Sequence, residues 1–406
     1  MTDPAPTASD GSTATPSETL AAASGALDKR SLFARVDWGA YGVVIATVAI
    51  WLVFNAASDG LFLSPRNLTL VMEQSVVVGI VACGMVLVMV TGNIDLSVGS
   101  TVGLACVISG YMQVVQGWDT LPTIALVLIV GLAIGMWQGL WVAYVGIPAF
   151  IVTLAGMSLF RGAAFVLDQG QSYAPMAPSF SWIASSSLNT ELSAVLVVVA
   201  AVSYVLFSVL STEGGTASLR STRLVASALA RAVPVLVLLA VVGWVVVSYR
   251  GIPVAVLILT AVALLLTFIA NRTRFGRHLY AIGGNREAAF LAGVTVKRHT
   301  FVVFAGMGLL YGLAGIVLAA RMNGAPVDAV IGLELDVITA CIIGGTSLFG
   351  GIGKIQGSIL GVMLLTSLSN GLDLLGFSTY AQFIVKGMVL LLAVLLDVFL
   401  KRHRIA

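Results

Sequence analysis

Apolar runs separated by short polar breaks occupy almost the whole chain. A helix needs about 20 apolar residues to cross the hydrocarbon core of a bilayer. Runs near that length lie at 38–57, 68–91, 95–116, 122–143, 149–167, 191–211, 232–248, 252–270, 300–320, 335–349, 356–372 and 378–398. Two of them, 95–116 and 335–349, are rich in glycine and carry an aspartate at or near the start. Runs of that kind suit broken or re-entrant helices, so the pattern predicts about 10 to 12 crossings. The stretches "VTGNIDLSVGSTVGL" (90–104) and "GGTSLFGGIGKIQGSILG" (344–361) echo one another, each placing closely spaced Gly and Ser between apolar runs. Transporters built from repeats carry such echoes. The expected fold is all-α: a polytopic helical membrane protein with Gly-rich broken helices and two weakly similar halves.

Composition strengthens this reading. The chain of 406 residues is 59% hydrophobic and 10% charged, where soluble domains carry roughly a quarter charged residues. Its mean hydropathy is +1.04. Too little polar surface exists to cover the chain in water, which excludes a soluble globular protein. Residues 1–28, rich in Thr, Ser, Ala and Pro, read as a disordered cytoplasmic tail and not a signal peptide. Residues 29–406 read as one membrane-embedded domain.

The placement of charge matters more than its net value of +3. With the N-terminus inside and spans alternating, the outer segments hold Arg66, Arg250 and Arg321. Arg161 and Lys386 fall within spans, and every other Lys and Arg lies inside. That asymmetry predicts cytoplasmic N- and C-termini. Cys83, Cys106 and Cys341 lie in apolar runs and read as packing residues. His278, His299 and His403 lie in basic loops or the tail, which disfavours a histidine proton relay.

Three segments stand out as soluble: an outer loop at 168–190, a basic inner loop at 212–231, and an inner loop at 271–299. The last contains "GGNREAAFLAG" (283–293). Asn285 is suited to cap a helix over Arg286–Leu291, and Gly293 to stop it. Ala288, Ala289 and Ala292 give that helix a slim face. Two uses are open: resting on lipid headgroups, or docking into a groove on a cytoplasmic partner.

The stretch 272–321, with "EAA" at Glu287, Ala288 and Ala289 followed by Gly293, resembles the permeases of ATP-binding-cassette importers. "TGNIDLSVGS" (91–100) and "ELDVITACIIGGTSLFGGIGKIQGSILG" (334–361) resemble the ribose/xylose/arabinose/galactose branch. The segments 212–250 and 249–285 look most like xylose permeases. The resemblance implies that Asn285, Arg286, Glu287, Ala288, Ala289, Leu291 and Gly293 form a helix that couples to an ATPase subunit. It also implies an extracytoplasmic sugar-binding protein, a second copy of this chain, a surrounding lipid bilayer and a small-molecule sugar. No nucleic acid, metal or cofactor is implied. In keeping with this, "GGIGK" lacks the glycine spacing and the Ser/Thr of a phosphate loop, since Ile355 follows Lys354.

Other polar residues divide between structural and pathway roles. Asp95 either caps a helix beginning near Leu96 or lines a translocation path with Asn93 and Ser97. Span counting places it near the cytoplasmic face. Glu334 and Asp336 would sit near the outer surface. Thr346 and Ser347 would offer hydroxyls at mid-bundle, to packing or to substrate. Lys386 is expected to snorkel or to pair with Asp373. Arg161 and Asp168 share one helix face and read as an anchor near the outer surface. Glu73 and Gln74 read as polar contacts in the bundle or as pathway lining. A stand-alone secondary transporter or channel is the alternative function, and an intramembrane enzyme a third, but no ion cluster, metal motif or intramembrane histidine supports either.

Overall fold

Every regular element among the described residues is helical. The computed structural model describes residues 38–210, 236 and 239–405. The expected 1–28 tail and the 212–231 loop lie outside them. The helices are α1 (Trp38–Ala57), α2 (Pro65–Val90), α3 (Val98–Gly110), α4 (Thr120–Leu140), α5 (Ala149–Asp168), α6 (Pro178–Ser185) and α7 (Thr190–Leu210). They continue with α8 (Leu239–Ser248), α9 (Val254–Arg272), α10 (Arg274–Gly284), α11 (Arg286–Leu291), α12 (Val296–Met322), α13 (Leu333–Ile343), α14 (Ile355–Leu374) and α15 (Thr379–Ile405). Among these, 7 are long and apolar enough to cross a membrane, counting the π-helical continuations of α3 to Val115 and of α4 to Val145. The contacts described below fall within the compact unit Val43–Ala406.

The centre of the bundle is α2 and α12. Both are buried along most of their length, whereas α4, α5 and α9 expose most of theirs. Their cores interlock through Ile80, Met85, Met89, Phe304, Met307 and Tyr311. Glycine permits the closest crossings. A Cβ on Gly131 or Gly135 of α4 would strike the backbone of α12 at Gly308, and the converse holds for Gly308. Helix association in lipid relies on such close packing, because tails are as apolar as side chains. At the other flank Trp51 Nε1 donates to Ser367 Oγ at 2.8 Å, and Asn67 Nδ2 to Asn370 Oδ1 at 2.8 Å, tying α1 and α2 to α14.

The glycine-rich run 95–116 forms one span, Val98–Val115, with a break before it, whereas 335–349 is itself broken. Helix α2 ends at Val90, and residues 91–97 are non-helical before α3 begins at Val98. The second break is double. After α12 the chain runs through 323–332 with one 3₁₀ turn, Val327–Val330, into α13, then unwinds again over 344–354 before α14. At 11 residues, α13 is about 16 Å long and covers half a membrane. This agrees with the broken or re-entrant helix expected at 335–349. Glu334 and Asp336, in the first turn of α13, are partly buried, because the linker leads that turn against α3. A Cβ on Gly99 would run into Glu334 Oε2 and the Val330 carbonyl, so the N-termini of α3 and α13 meet inside the protein.

Non-helical backbone survives in such a place only if its polar groups are paired within protein. The first break meets that condition. Leu96 N donates to Thr153 Oγ1 at 3.1 Å, Gly92 N to Met89 O at 2.8 Å, and Ser97 N to Asp95 Oδ1 at 2.8 Å. In the second, Ser347 N donates to Ile352 O at 2.8 Å, and Gly351 N to Val90 O at 2.9 Å. The last bond joins the two breaks directly.

Candidate functional site

The end of the bundle that carries α10 and α11 brings both breaks and the basic loop together. Helix α10 starts where Thr273 Oγ1 accepts from Gly276 N at 3.1 Å. It ends at Gly284, against the breaks. A Cβ on Gly283 would collide with the Val90 carbonyl and with Gly351 N, and one on Gly350 would sit 3.0 Å from Gly283 O and Gly92 N. Tyr280 Oη donates to Gly353 O at 2.8 Å, a second tie from α10 to the same break. One glycine-lined contact therefore links α10, the end of α2 and the loop before α14.

Helix α11 matches the expected cap and length. Asn285 Oδ1 accepts from Ala288 N at 2.9 Å, and the helix covers Arg286–Leu291. Gly293 follows at φ +83°, a conformation that suits glycine. The slim alanine face is split: Ala288 and Ala292 are exposed, while Ala289 turns inward. Ala289 is buried with Ile282 and Val296, fixing α11 onto α10 and α12. Phe290 and Leu291 instead project outward, 68% and 79% exposed. Beside them an open groove of about 720 Å³ is lined by Glu287, Phe290, Val294 and the cations Arg286, Lys297 and Arg298. Phe290 belongs to this surface and was absent from the residues expected there. Its signal was its size beside Ala288, Ala289 and Ala292.

A second feature escaped sequence reasoning. His278 Nδ1 and His299 Nε2 lie 3.0 Å apart, and Phe275 stacks on His299 with centroids 5.3 Å apart. His299 Nδ1 is 2.8 Å from the Thr295 carbonyl, which only accepts, so Nδ1 carries the hydrogen. His299 Nε2 then accepts from His278 Nδ1–H. This pair pins α10 to the first turns of α12 across the α11 loop.

The pathway candidates are placed as follows. Asn93 is partly buried and donates through Nδ2 to Thr91 Oγ1 at 2.8 Å. Asp95 and Ser97 are fully buried. Asp95 Oδ1 accepts from Ser97 N and Ser97 Oγ, and Oδ2 accepts from the Tyr311 hydroxyl. Gln138 Nε2 of α4 donates to Ser97 Oγ at 2.6 Å. Asp95 thus lies inside the bundle and not at its rim, and α3 begins at Val98 without a side-chain cap. Its carboxylate closes a turn to Ser97 and takes its third donor from α12. Thr346 and Ser347 are buried, with Thr346 Oγ1 3.3 Å from Ser358 Oγ. Gly353 stands between Thr346 and Val90, so this pair lies beside the end of α2 and not at mid-bundle. None of these five side chains lines the groove beside α11.

Two further charge assignments change. Lys386 Nζ bonds Asp336 Oδ2 at 2.7 Å, tying α15 to α13, while Asp373 accepts from Gln382 Nε2 at 2.6 Å. Arg161 reaches Glu334 at 3.8 Å and not Asp168. Arg321 is partly buried and donates to the Glu73 carbonyl at 3.2 Å. The Lys386 and Arg161 contacts share one cause: the linker before α13 brings that helix among helices that a simple count of crossings keeps apart. Lys386→Met leaves the Asp336 carboxylate unpaired and should cost about 2–3 kcal/mol of stability. Thermal unfolding in detergent checks this, and the charge-reversed double variant Lys386→Asp with Asp336→Lys should recover most of the loss.

Buried interrupted helices around glycine crossings, with a short exposed helix at one end, define a polytopic membrane transport component. The model of a family described as branched-chain amino acid transport system / permease component matches residues 67–394, and the chain belongs to this family. The chain is 40% identical over 365 residues to the xylose transport system permease protein XylH of Escherichia coli strain K12, covering 89% of this chain and 92% of that protein. It is 38% identical over 369 residues to XylH of Haemophilus influenzae, with 89% and 96% covered. It is 34% identical over 355 residues to the ribose import permease protein RbsC of Escherichia coli strain K12, with 87% and 92% covered. No solved structure matches the chain. It is therefore the multi-pass permease subunit of an ATP-binding-cassette importer, a transport component that works with an ATPase and a substrate-binding protein and is not itself an enzyme.

Proposed function

We propose that this chain carries a monosaccharide, D-xylose, inward across the inner membrane, driven by ATP hydrolysis on the separate ATPase subunit. The sugar follows from the relatives, of which the two XylH proteins are more similar to this chain than RbsC. The mechanism rests on one observation: α11 exposes Phe290 and Leu291 while α10 behind it packs on both helix breaks through Gly283 and Tyr280. A partner that grips α11 moves α10, and α10 is in backbone contact with the ends of the interrupted helices. ATP binding on the partner thereby changes which side of the bundle is open. The permease works as two copies, with an extracytoplasmic sugar-binding protein delivering substrate and both termini in the cytoplasm. Asn93, Asp95, Ser97, Thr346 and Ser347 act in this scheme as the framework of the moving breaks, since their side chains bond to protein. Residues 29–406 work as one membrane domain.

Uptake of radiolabelled xylose into proteoliposomes holding this chain, its ATPase and its binding protein tests the proposal. ATP-dependent uptake that unlabelled xylose abolishes and ribose does not is expected. Uptake by this chain alone, without ATP, would reject it. The orientation has its own test. A cysteine replacing Asn285 should react with impermeant thiol reagents only from the cytoplasmic side of cells, and one replacing Asp119 only from outside.

A further inference from the structure

Away from α11, at the far end of α5, a cavity of about 240 Å³ opens between α3, α5 and the linker that precedes α13. It holds about eight waters at ~30 Å³ each, room for one monosaccharide and too little for a disaccharide. Its walls include Ser100 of α3, Arg161 and Phe165 of α5, and Val327, Asp328 and Ile331 of the linker. The junction where the N-termini of α3 and α13 meet adjoins it, since Gly99 abuts Glu334 and Ser100 is the next residue. In transporters, substrate sites lie where broken helices of two halves meet.

The polar groups here are poorly spent on one another. Arg161 Nη2 is 3.8 Å from Glu334 Oε1, an ionic contact too long for a hydrogen bond. Glu334 Oε2 and Asp168 Oδ1 are buried without any hydrogen-bond partner. Asp168 lies one turn beyond Ala164, a residue of the cavity wall, and near enough to Asp328 for their charges to interact. Ser100 Oγ donates to Ser97 O at 2.8 Å, which leaves its lone pairs open to a donor. Phe165, 46% exposed, lines the wall.

This set mixes one guanidinium with three carboxylates. The Arg161 guanidinium opposes a bound cation, and no cluster of His, Cys, Asp and Glu suited to a metal exists among the described residues. Three carboxylates oppose an anion. A neutral molecule whose hydroxyls both donate and accept satisfies guanidinium and carboxylates together, and its C–H face lies on an aromatic ring. We propose that this cavity is a monosaccharide-holding site within the permease, with Arg161, Asp328 and Ser100 contacting hydroxyls and Phe165 stacking on the sugar ring. It rests on the sugar-transport reading above and adds to it a place where the sugar pauses.

Saturation-transfer NMR on the full chain in nanodiscs, with xylose and no binding protein, tests the site. Transfer to the sugar ring protons is expected in the unaltered protein. Asp328→Ala and Phe165→Ala should each weaken binding about tenfold, and Ser100→Ala serves if either fails to elute as a single species. Uptake by the complete complex should slow in the same variants. No transfer with the unaltered chain, or equal transfer and equal uptake in all variants, overturns the site. If the unaltered complex imports xylose with ATP in that case, the site alone falls. If that complex imports no monosaccharide with ATP, the functional reading falls and the site with it.

Discussion

Gly283→Ala is expected to lower ATP-driven uptake by roughly 100-fold, although it adds a single methyl group. The position faces backbone, not a yielding side chain: the Val90 carbonyl on one side and Gly351 N on the other. A Cβ there must push α10 off both helix breaks. It would also stretch the Gly351 N to Val90 O bond, which is 2.9 Å long. Overpacking against rigid neighbours costs typically ~1–3 kcal/mol, and here that energy falls on the contact that carries movement from α11 to the bundle. Gly284, one residue on, meets open space at the same distance, so Gly284→Ala should transport nearly as the unaltered chain does. Uptake rates of the two variants, at matched amounts of inserted protein, check the contrast. Equal rates would show that the contact does not transmit the motion.

Tyr311→Phe should be the most destabilising removal of a single oxygen. Asp95 is wholly buried, and Tyr311 is the donor that α12 supplies to its Oδ2. Without the hydroxyl, a buried carboxylate oxygen is left unpaired, and a hydrogen bond to a charged group is worth about 1.5–3 kcal/mol. The loss should appear as a lower unfolding temperature, together with easier proteolysis at 91–97, where the unwound chain depends on this network. Asp95→Asn should cost less, because an amide tolerates burial better than an unpaired charge. The double variant should lose less than the sum of the two, since both changes disrupt one bond. Strict additivity would mean that Tyr311 and Asp95 act independently.

Much of the molecule was legible from residue order because the physics involved is local. The α11 boundaries follow from an Asn that caps and a Gly that adopts positive φ. The short helix at 335–349 announced itself through glycine, whereas 95–116, marked by glycine in the same way, forms a full-length helix. Depth and pairing were less legible because they depend on where the broken helices lie. A hydropathy count treats 335–349 as a crossing and so puts Glu334 and Asp336 outside. The structure spends only α13 on that stretch and returns the chain through 344–354. Lys386 consequently finds Asp336, 50 residues away, and not Asp373. The contact between His278 and His299 crosses 21 positions and two helices, beyond any periodic signal. Ala289 was read as facing a partner because small residues permit close approach; the same property lets it close onto Ile282 and Val296.

The central claim is that α11 transmits the work of ATP hydrolysis to the bundle. Its most direct measurement is the ratio of sugar imported to ATP hydrolysed in proteoliposomes holding the permease, the ATPase and the binding protein. The comparison is between the unaltered chain and one carrying Phe290→Asp with Leu291→Asp. Both side chains are exposed, so the change leaves the packing of α11 intact. The account predicts that import falls at least about tenfold, as for loss of a buried interface anchor, and that hydrolysis no longer tracks it. Import at the unaltered rate, with the unaltered ratio, would contradict it.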